Sequence, residues 1–326
     1  MKRDVVTLGR RLALAILCSA FGAAASAQDY PTRPIRIIDA FAPGATTDIL
    51  ARLVAKHMSQ TFGQPVIVES KAGANGVVGS EYVAKAAPDG YTLFIGSTST
   101  LALNQILYKM SFDPTKDFAP VSMVASQSLI VVVHPSVPVK SMKELVEYGK
   151  ANPAALNFAT PGIGNPVHLA TELYKKESGT PMTHVPYAKG SAAAIPDLLA
   201  GRVQMMFAPA YMSAMVRDGR LRALAVTGPR RMGVLPDVPT VAEAGSPGSE
   251  ATLWNAIVAP AGTPQPIIAK LNAEVVRIMN LPEVRKQLAE TGLDSIPSTP
   301  EEQGRFTRLE AERWGKLVQE LGIKVQ

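Results

Sequence analysis

Short apolar runs alternate with amphipathic stretches along most of the chain. The switch is sharpest from Arg33 to Met58, which reads RPIRIIDAFAPGATTDILARLVAKHM. Pro34 to Phe41 is a near-continuous apolar run, the pattern of a strand buried on both faces. The stretch TDILARLVAKHMSQTF that follows has helical spacing, and places Ile49, Leu53, His57 and Met58 near one face. FAPGATTD lies between them, a small turn rich in hydroxyls. Such a turn leaves backbone N–H groups at the positive end of a helix dipole, where an anion is favoured.

The alternation continues. PVIVES, YTLFIGS, SLIVVVHP, LNFAT, MTHVPY, VQMMFA and LRALAVTG predict strands. GVVGSEYVAKAA, SMKELVEYGKAN, VHLATELYKKES and AAAIPDLLAG predict helices. Strands and helices in this order predict an α/β fold with parallel sheets covered on both faces. Two further helices each open with Thr-Pro. In the last, Thr299 can cap, Pro300 fits the first turn and Glu302 completes a capping box. The turn of FAPGATTDILA also has an echo in FATPGIGNPVHLA, Phe158 to Ala170, where Asn165 is a natural N-cap and Pro166 a natural first helical residue. Two strand–turn–helix loops of this kind suggest two similar lobes whose helix N-termini could share one cleft, although Pro-Gly turns before helices are common.

The first 27 residues have a basic start, an apolar middle and the small-residue site Ala25 to Ala27, which together predict a cleaved secretory signal. Removing Lys2, Arg3, Arg10, Arg11 and Asp4 leaves 29 basic against 26 acidic residues, so the formal charge falls from +6 to +3. The mature chain has no dense basic run, which argues against nucleic acid as a partner. Its only cysteine, Cys18, leaves with the signal, so disulfides and thiolate chemistry are excluded.

Reactive constellations are missing. There is no phosphate-binding G-x-x-x-x-G-K-[ST], no nucleophile elbow, and no ligand spacing among His57, His134, His168 and His184. GANGVVG, Gly73 to Gly79, reads as a tight turn into a helix or as cleft lining. Ser97 and Thr98 of GSTST follow a strand, where α/β proteins bind ligands, although a simple turn explains them as well. His168 either contacts a ligand or braces its loop. The small neutral donors that remain at loop–helix junctions favour recognition over catalysis.

YPTRPIRIIDAFAPGATTDILAR, AKAAPDGYTL, DFAPVSMVA, THVPY, DLLAGRV, GRLRALAVT, LPDVPTVAEAG and VAPAGTP resemble the tripartite tricarboxylate transporter receptors, the Bug-type periplasmic binding proteins, from Tyr30 to the last helix. The resemblance implies the type II periplasmic-binding fold: two α/β lobes joined by crossing strands and closing on an organic acid. By this reading residues 28–127 with 251–326 form one lobe and 128–250 the other, with hinges near SLIVVVHP and LWNAIVAP. The partners it implies are a small organic carboxylate and the large and small membrane subunits of a permease. It implies a periplasmic monomer without cofactor, metal or enzymatic activity. Delivery to a sensor kinase, or envelope hydrolysis using GSTST and His168, are rival readings.

The family holds a carboxylate with amides, hydroxyls and waters. The resemblance therefore assigns Phe41, Gly44, Ala45, Thr46 and Thr47 to a first grip, with Asp48 supporting the helix start. It assigns Ile163, Gly164, Asn165 and His168 to a second grip, and adds Tyr187 and Ala208. Several positions depart from the family pattern. Ala45 replaces a second glycine, Ile163 replaces an amide, Pro166 and Val167 replace hydroxyls, and Ala208 replaces an aspartate. The loop after Tyr187 is one residue longer than usual. A drier pocket follows, suited to a carboxylate without an amino group and with an aromatic or otherwise apolar body.

Overall fold

The computed structural model describes residues 30–187 and 190–324. The signal sequence expected at residues 1–27 lies outside them, as do Ala188 and Lys189 of the lengthened loop. Two α/β units emerge along the chain. The first runs β1 (Ile35–Asp39), α1 (Thr46–Phe62), β2 (Val66–Ser70), α2 (Val77–Ala84), β3 (Thr92–Ser97), a wide π-helical turn (Ser99–Leu103), α3 (Asn104–Leu107) and β4 (Phe118–Ser128). The second runs β5 (Ile130–Val133), α4 (Met142–Ala151), β6 (Asn157–Thr160), α5 (Pro166–Ser178), β7 (Thr183–Pro186), α6 (Ser191–Leu199), β8 (Met205–Ala208), α7 (Ser213–Arg217) and β9 (Arg222–Val226). The chain then returns through β10 (Thr252–Pro260), α8 (Gln265–Met279), α9 (Pro282–Glu290), β11 (Leu293–Ser295) and α10 (Pro300–Leu321).

The sheet orders are β11-β4-β10-β3-β1-β2 and β7-β6-β8-β5-β9. Both are mixed, which corrects the expectation of parallel sheets. β1, β2 and β3 are mutually parallel, as are β6, β7 and β8, but β10 runs antiparallel to β3 and β5 runs antiparallel to β8. The cause is connectivity. A strand arriving from the other unit enters at the end where the parallel strands finish, so it must run against them.

The amphipathic stripe of α1 also differs from expectation. Leu50, Val54 and Met58 are fully buried, whereas Ile49 is 46% exposed. At about 100° per residue, a stripe centred on Leu50, Val54 and Met58 turns Ile49 to the far side of the helix.

The units meet at two crossings. β4 passes into β5 through Leu129, and β9 returns to β10 through residues 227–251. Thr227 ties them together. Its N–H donates to Leu129 O (2.9 Å), and its hydroxyl accepts from Leu129 N (2.9 Å) and donates to Ala251 O (2.5 Å). The C-terminal helix α10 lies along both units. Phe306 packs edge-on against Trp254 of β10, while Trp314, Leu317 and Val318 join the core of the second unit with Phe158 and Tyr174. The Thr299–Glu302 capping box expected from sequence starts this helix. Among the described residues, no helix is long and apolar enough to cross a membrane.

Candidate functional site

The parallel strands of each unit end at one edge of its sheet, and the loops leaving that edge carry the candidate residues. Gly44 has φ +85°, a conformation that glycine adopts without strain, and it turns the chain from β1 into α1. Its N–H donates to Asp48 Oδ2 (2.9 Å). Arg52, in an ion pair with Asp48 at 2.8 Å, holds that carboxyl below the usual range, helped by the Gly44 amide. Asp48 therefore supports the turn from inside, and its charge is spent on Arg52 and Gly44.

Ala45 is the N-cap of α1 and supplies no side-chain acceptor. The amides of Thr46 and Thr47 make no hydrogen bond among the described residues, and the buried Thr47 hydroxyl lies beside the Asp39 carboxyl without a well-formed hydrogen bond to it. This helix N-terminus thus presents unspent donors and its positive dipole end. Phe41 closes the turn on one side, its ring against Gly76 and its carbonyl accepting from Ser70 Oγ (2.6 Å).

Sequence reasoning missed Asp39, the last residue of β1. It is fully buried, its Oδ1 accepts the Phe41 N–H at 3.1 Å, and its carboxyl faces the Thr47 hydroxyl. Burial raises its pKa above the ordinary carboxylate value. A polar residue closing an apolar run just before a Pro-Gly turn was the available signal.

Ser97 and Thr98 follow β3. The Ser97 N–H donates to Thr100 Oγ1 (2.9 Å), forming a local turn. Thr98 is buried, and its hydroxyl accepts from the Trp254 amide (2.9 Å), so it pins β3 to the crossing strand β10. Its hydroxyl is thus engaged within the protein. Gly73 leads into the 3-10 turn Ala74–Gly76 and then α2, the tight turn that GANGVVG suggested.

In the second unit, Asn165 caps α5 by accepting the Val167 N–H at 3.0 Å. Gly164, at φ +75°, donates to His168 Nδ1 (3.3 Å). Gly162 donates to Thr160 Oγ1 (3.2 Å). The Ile163 amide between them makes no hydrogen bond among the described residues, and its side chain is 50% exposed. His168 is buried and stacks on His184 at 4.2 Å, which stacks on Phe158 at 4.9 Å. The bond from the Gly164 N–H makes His168 a brace of its own loop. Burial first, then the neighbouring His184 and Lys175, push its pKa down to about 4.

Tyr187 follows β7 and donates to Asp197 Oδ2 (2.7 Å). Partial burial and this carboxylate push its pKa up to about 12, so it is a neutral phenol whose oxygen still has acceptor capacity. Ala208 ends β8, fully buried, and pairs with Ile130 of the crossing strand. Among the described residues, no hydrogen bond or ion pair joins the turn at Phe41–Thr47 to the turn at Gly162–His168. Neither turn contains a lysine or arginine.

Two α/β units with tied crossing strands, each presenting a small-residue turn at its strand ends, define a two-lobed solute receptor of the periplasmic-binding type. The model of the tripartite tricarboxylate transporter family receptor matches residues 50–323, and the chain belongs to that family. It is 37% identical over 315 residues to Protein BugT of Bordetella pertussis, covering 95% of this chain and 96% of the relative. Its fold is similar to that of Rpa4515 from R. palustris, solved with adipate, with TM-score 0.80, 36% identity, and coverage of 90% of this chain and 99% of that one. It is also similar to MatC from Rhodopseudomonas palustris with bound malate, with TM-score 0.75, 33% identity, and coverage of 89% and 100%.

Proposed function

We propose that the protein captures an organic carboxylate between the turns at Phe41–Thr47 and Gly162–His168 and delivers it to a tripartite membrane permease. One observation carries this reading: the unspent Thr46 and Thr47 amides at the N-terminus of the 17-residue helix α1. A carboxylate accepting several oriented donors stays ionised without a cationic side chain. The adipate and malate bound to the two similar proteins fit such a site. The lobes are residues 28–127 with 251–326 and residues 128–250. Thr227 marks the hinge, and α10 spans it.

The ligand we infer lacks an amino group. Ala208 offers no acid to an ammonium, Asp48 is already paired with Arg52, and Asp39 is fully buried with its pKa raised by burial. Four large apolar side chains stand exposed where the strands end: Ile49 and Val78 in the first lobe, Ile163 and Tyr211 in the second. Their placement suits a ligand with an apolar body, as well as closure of one lobe on the other.

A thermal-shift panel of adipate, malate, benzoate, aspartate and glutamate tests this. A ligand at a hundred times its Kd stabilises by about 2.7 kcal/mol, or about 5 °C for a chain of this size. Stabilisation by adipate or benzoate is the expected result. Stabilisation by aspartate and glutamate alone overturns the ligand class.

A further inference from the structure

The second turn is held by two imidazoles, and their bonding assigns a tautomer to each. His168 Nδ1 accepts the Gly164 N–H, so its own proton sits on Nε2, which faces Glu172 Oε1 at 3.9 Å. Thr160 Oγ1 accepts the Gly162 N–H at 3.2 Å and has a hydroxyl proton to give. The nearer acceptor is His184 Nε2 at 2.5 Å, against Gly162 O at 3.4 Å. His184 therefore carries its proton on Nδ1. The amides on either side of Ile163 are drawn into the protein, and the Ile163 amide is left free.

We propose that His168 and His184 are positioning residues for ligand binding: two neutral, stacked imidazoles that tie the Gly164 and Gly162 amides inward and present the Ile163 amide to the ligand, a brace that a proton on His168 breaks. This rests on the carboxylate-receptor reading. Protonation converts His168 Nδ1 from an acceptor into a donor aimed at the Gly164 N–H, whereas at His184 the Thr160 hydroxyl can turn to accept from the ring and donate to Gly162 O. Burial opposes protonation of His168 first, and the neighbouring His184 and Lys175 add to the opposition. His168 meets Phe158 from β6 and His184 from β7, with Glu172 and Lys175 on its own helix. Glu172 shares its Oε1 between His168 Nε2 at 3.9 Å and Lys175 Nζ at 3.4 Å, so Lys175 weakens its pull on an imidazolium. Burial and Lys175 also lower the pKa of His184.

Imidazole nitrogen shifts of the ligand-free, 15N-labelled protein at pH 7 test the brace directly. The expected result is an Nε2–H tautomer for His168 and an Nδ1–H tautomer for His184, with the Gly164 amide shifting as the pH falls toward 4. The opposite tautomers, or a Gly164 amide that ignores the titration, overturn it whatever the ligand. Binding is then read at pH 7 with adipate and benzoate as probes. His168→Phe keeps a stacking ring but no acceptor, and the expected loss of affinity is about tenfold. His168→Asn restores an uncharged acceptor near the Nδ1 position and should bind within about threefold of wild type. Equal loss in both variants overturns the positioning role. Wild type that binds neither probe counts against the carboxylate reading, and the imidazole shifts still decide the brace.

Discussion

The two tryptophans of the chain share one carboxylate oxygen, and this contact sets a sharp test of how the lobes are held. Glu310 of α10 is 8% exposed, and its Oε2 accepts from Trp254 Nε1 (3.2 Å) and Trp314 Nε1 (3.0 Å). Trp254 belongs to the crossing strand β10, while Trp314 sits in the second lobe's core. In Glu310→Ala both indole N–H groups lose their acceptor where water does not reach. A buried unsatisfied donor costs about 1–3 kcal/mol, so the pair should cost about 4 kcal/mol. That is a large share of the roughly 5–15 kcal/mol by which domains are stable. In Glu310→Gln the side-chain carbonyl can still accept both bonds. It loses the charge that strengthens them and turns an amide toward Arg313, whose Nη1 lies 3.5 Å from Oε1. About 1–2 kcal/mol is expected there. Urea unfolding should be followed by far-ultraviolet circular dichroism, because the substitutions themselves perturb indole fluorescence. A Glu310→Ala loss below about 1 kcal/mol, or equal losses in the two variants, would refute the reasoning.

Three further outcomes follow from the site. Thr47→Val should weaken adipate binding by about tenfold in calorimetry with little change in stability, because the hydroxyl it removes is buried beside the Asp39 carboxyl without a well-formed hydrogen bond; clearly lowered stability with intact affinity would make Thr47 structural. Asp39→Asn keeps the acceptor for the Phe41 amide and removes a carboxyl whose pKa burial has raised. Wild-type stability from this group falls as pH rises past the unfolded value, so the variant should melt higher at pH 7 and bind carboxylates more tightly; a lower melting point contradicts this. His168 has an ordinary value near 6.5 and a folded value of about 4, so the folded chain binds fewer protons between those pH values. Stability should therefore fall by about 3 kcal/mol as pH drops from about 6.5 to about 4, and His168→Asn should flatten that limb in urea titrations. Superimposable pH profiles would count against the burial of a neutral imidazole.

Local patterns were legible in the sequence, and contacts between distant segments were not. The run Pro34 to Phe41, its Pro-Gly turn and the helix after it lie close to where they were expected, because each depends on a few neighbouring residues. Asn165 and the Thr299–Glu302 pair also cap as their spacing predicts. Thr98 looked like a free hydroxyl because its partner, the Trp254 amide, lies 156 residues away. His184 carried no visible role until β7 paired with β6 and set it between Phe158 and His168. The antiparallel crossing strands escaped notice for the same reason: direction within a sheet depends on which lobe a strand comes from, and the hydrophobic pattern does not encode that. Ile49 was placed on the wrong face because a four-residue spacing to Leu53 fits the edge of the buried stripe as well as its centre.

A crystal structure of the protein grown with adipate tests the central claim most directly. The account predicts a closed cleft with one ligand carboxylate accepting from the Thr46 and Thr47 amides and the Thr47 hydroxyl, the Ile163 amide facing it, and no lysine or arginine side chain within ion-pair distance. A carboxylate neutralised by a basic side chain, or turns that stay apart around an occupied site elsewhere, would contradict it.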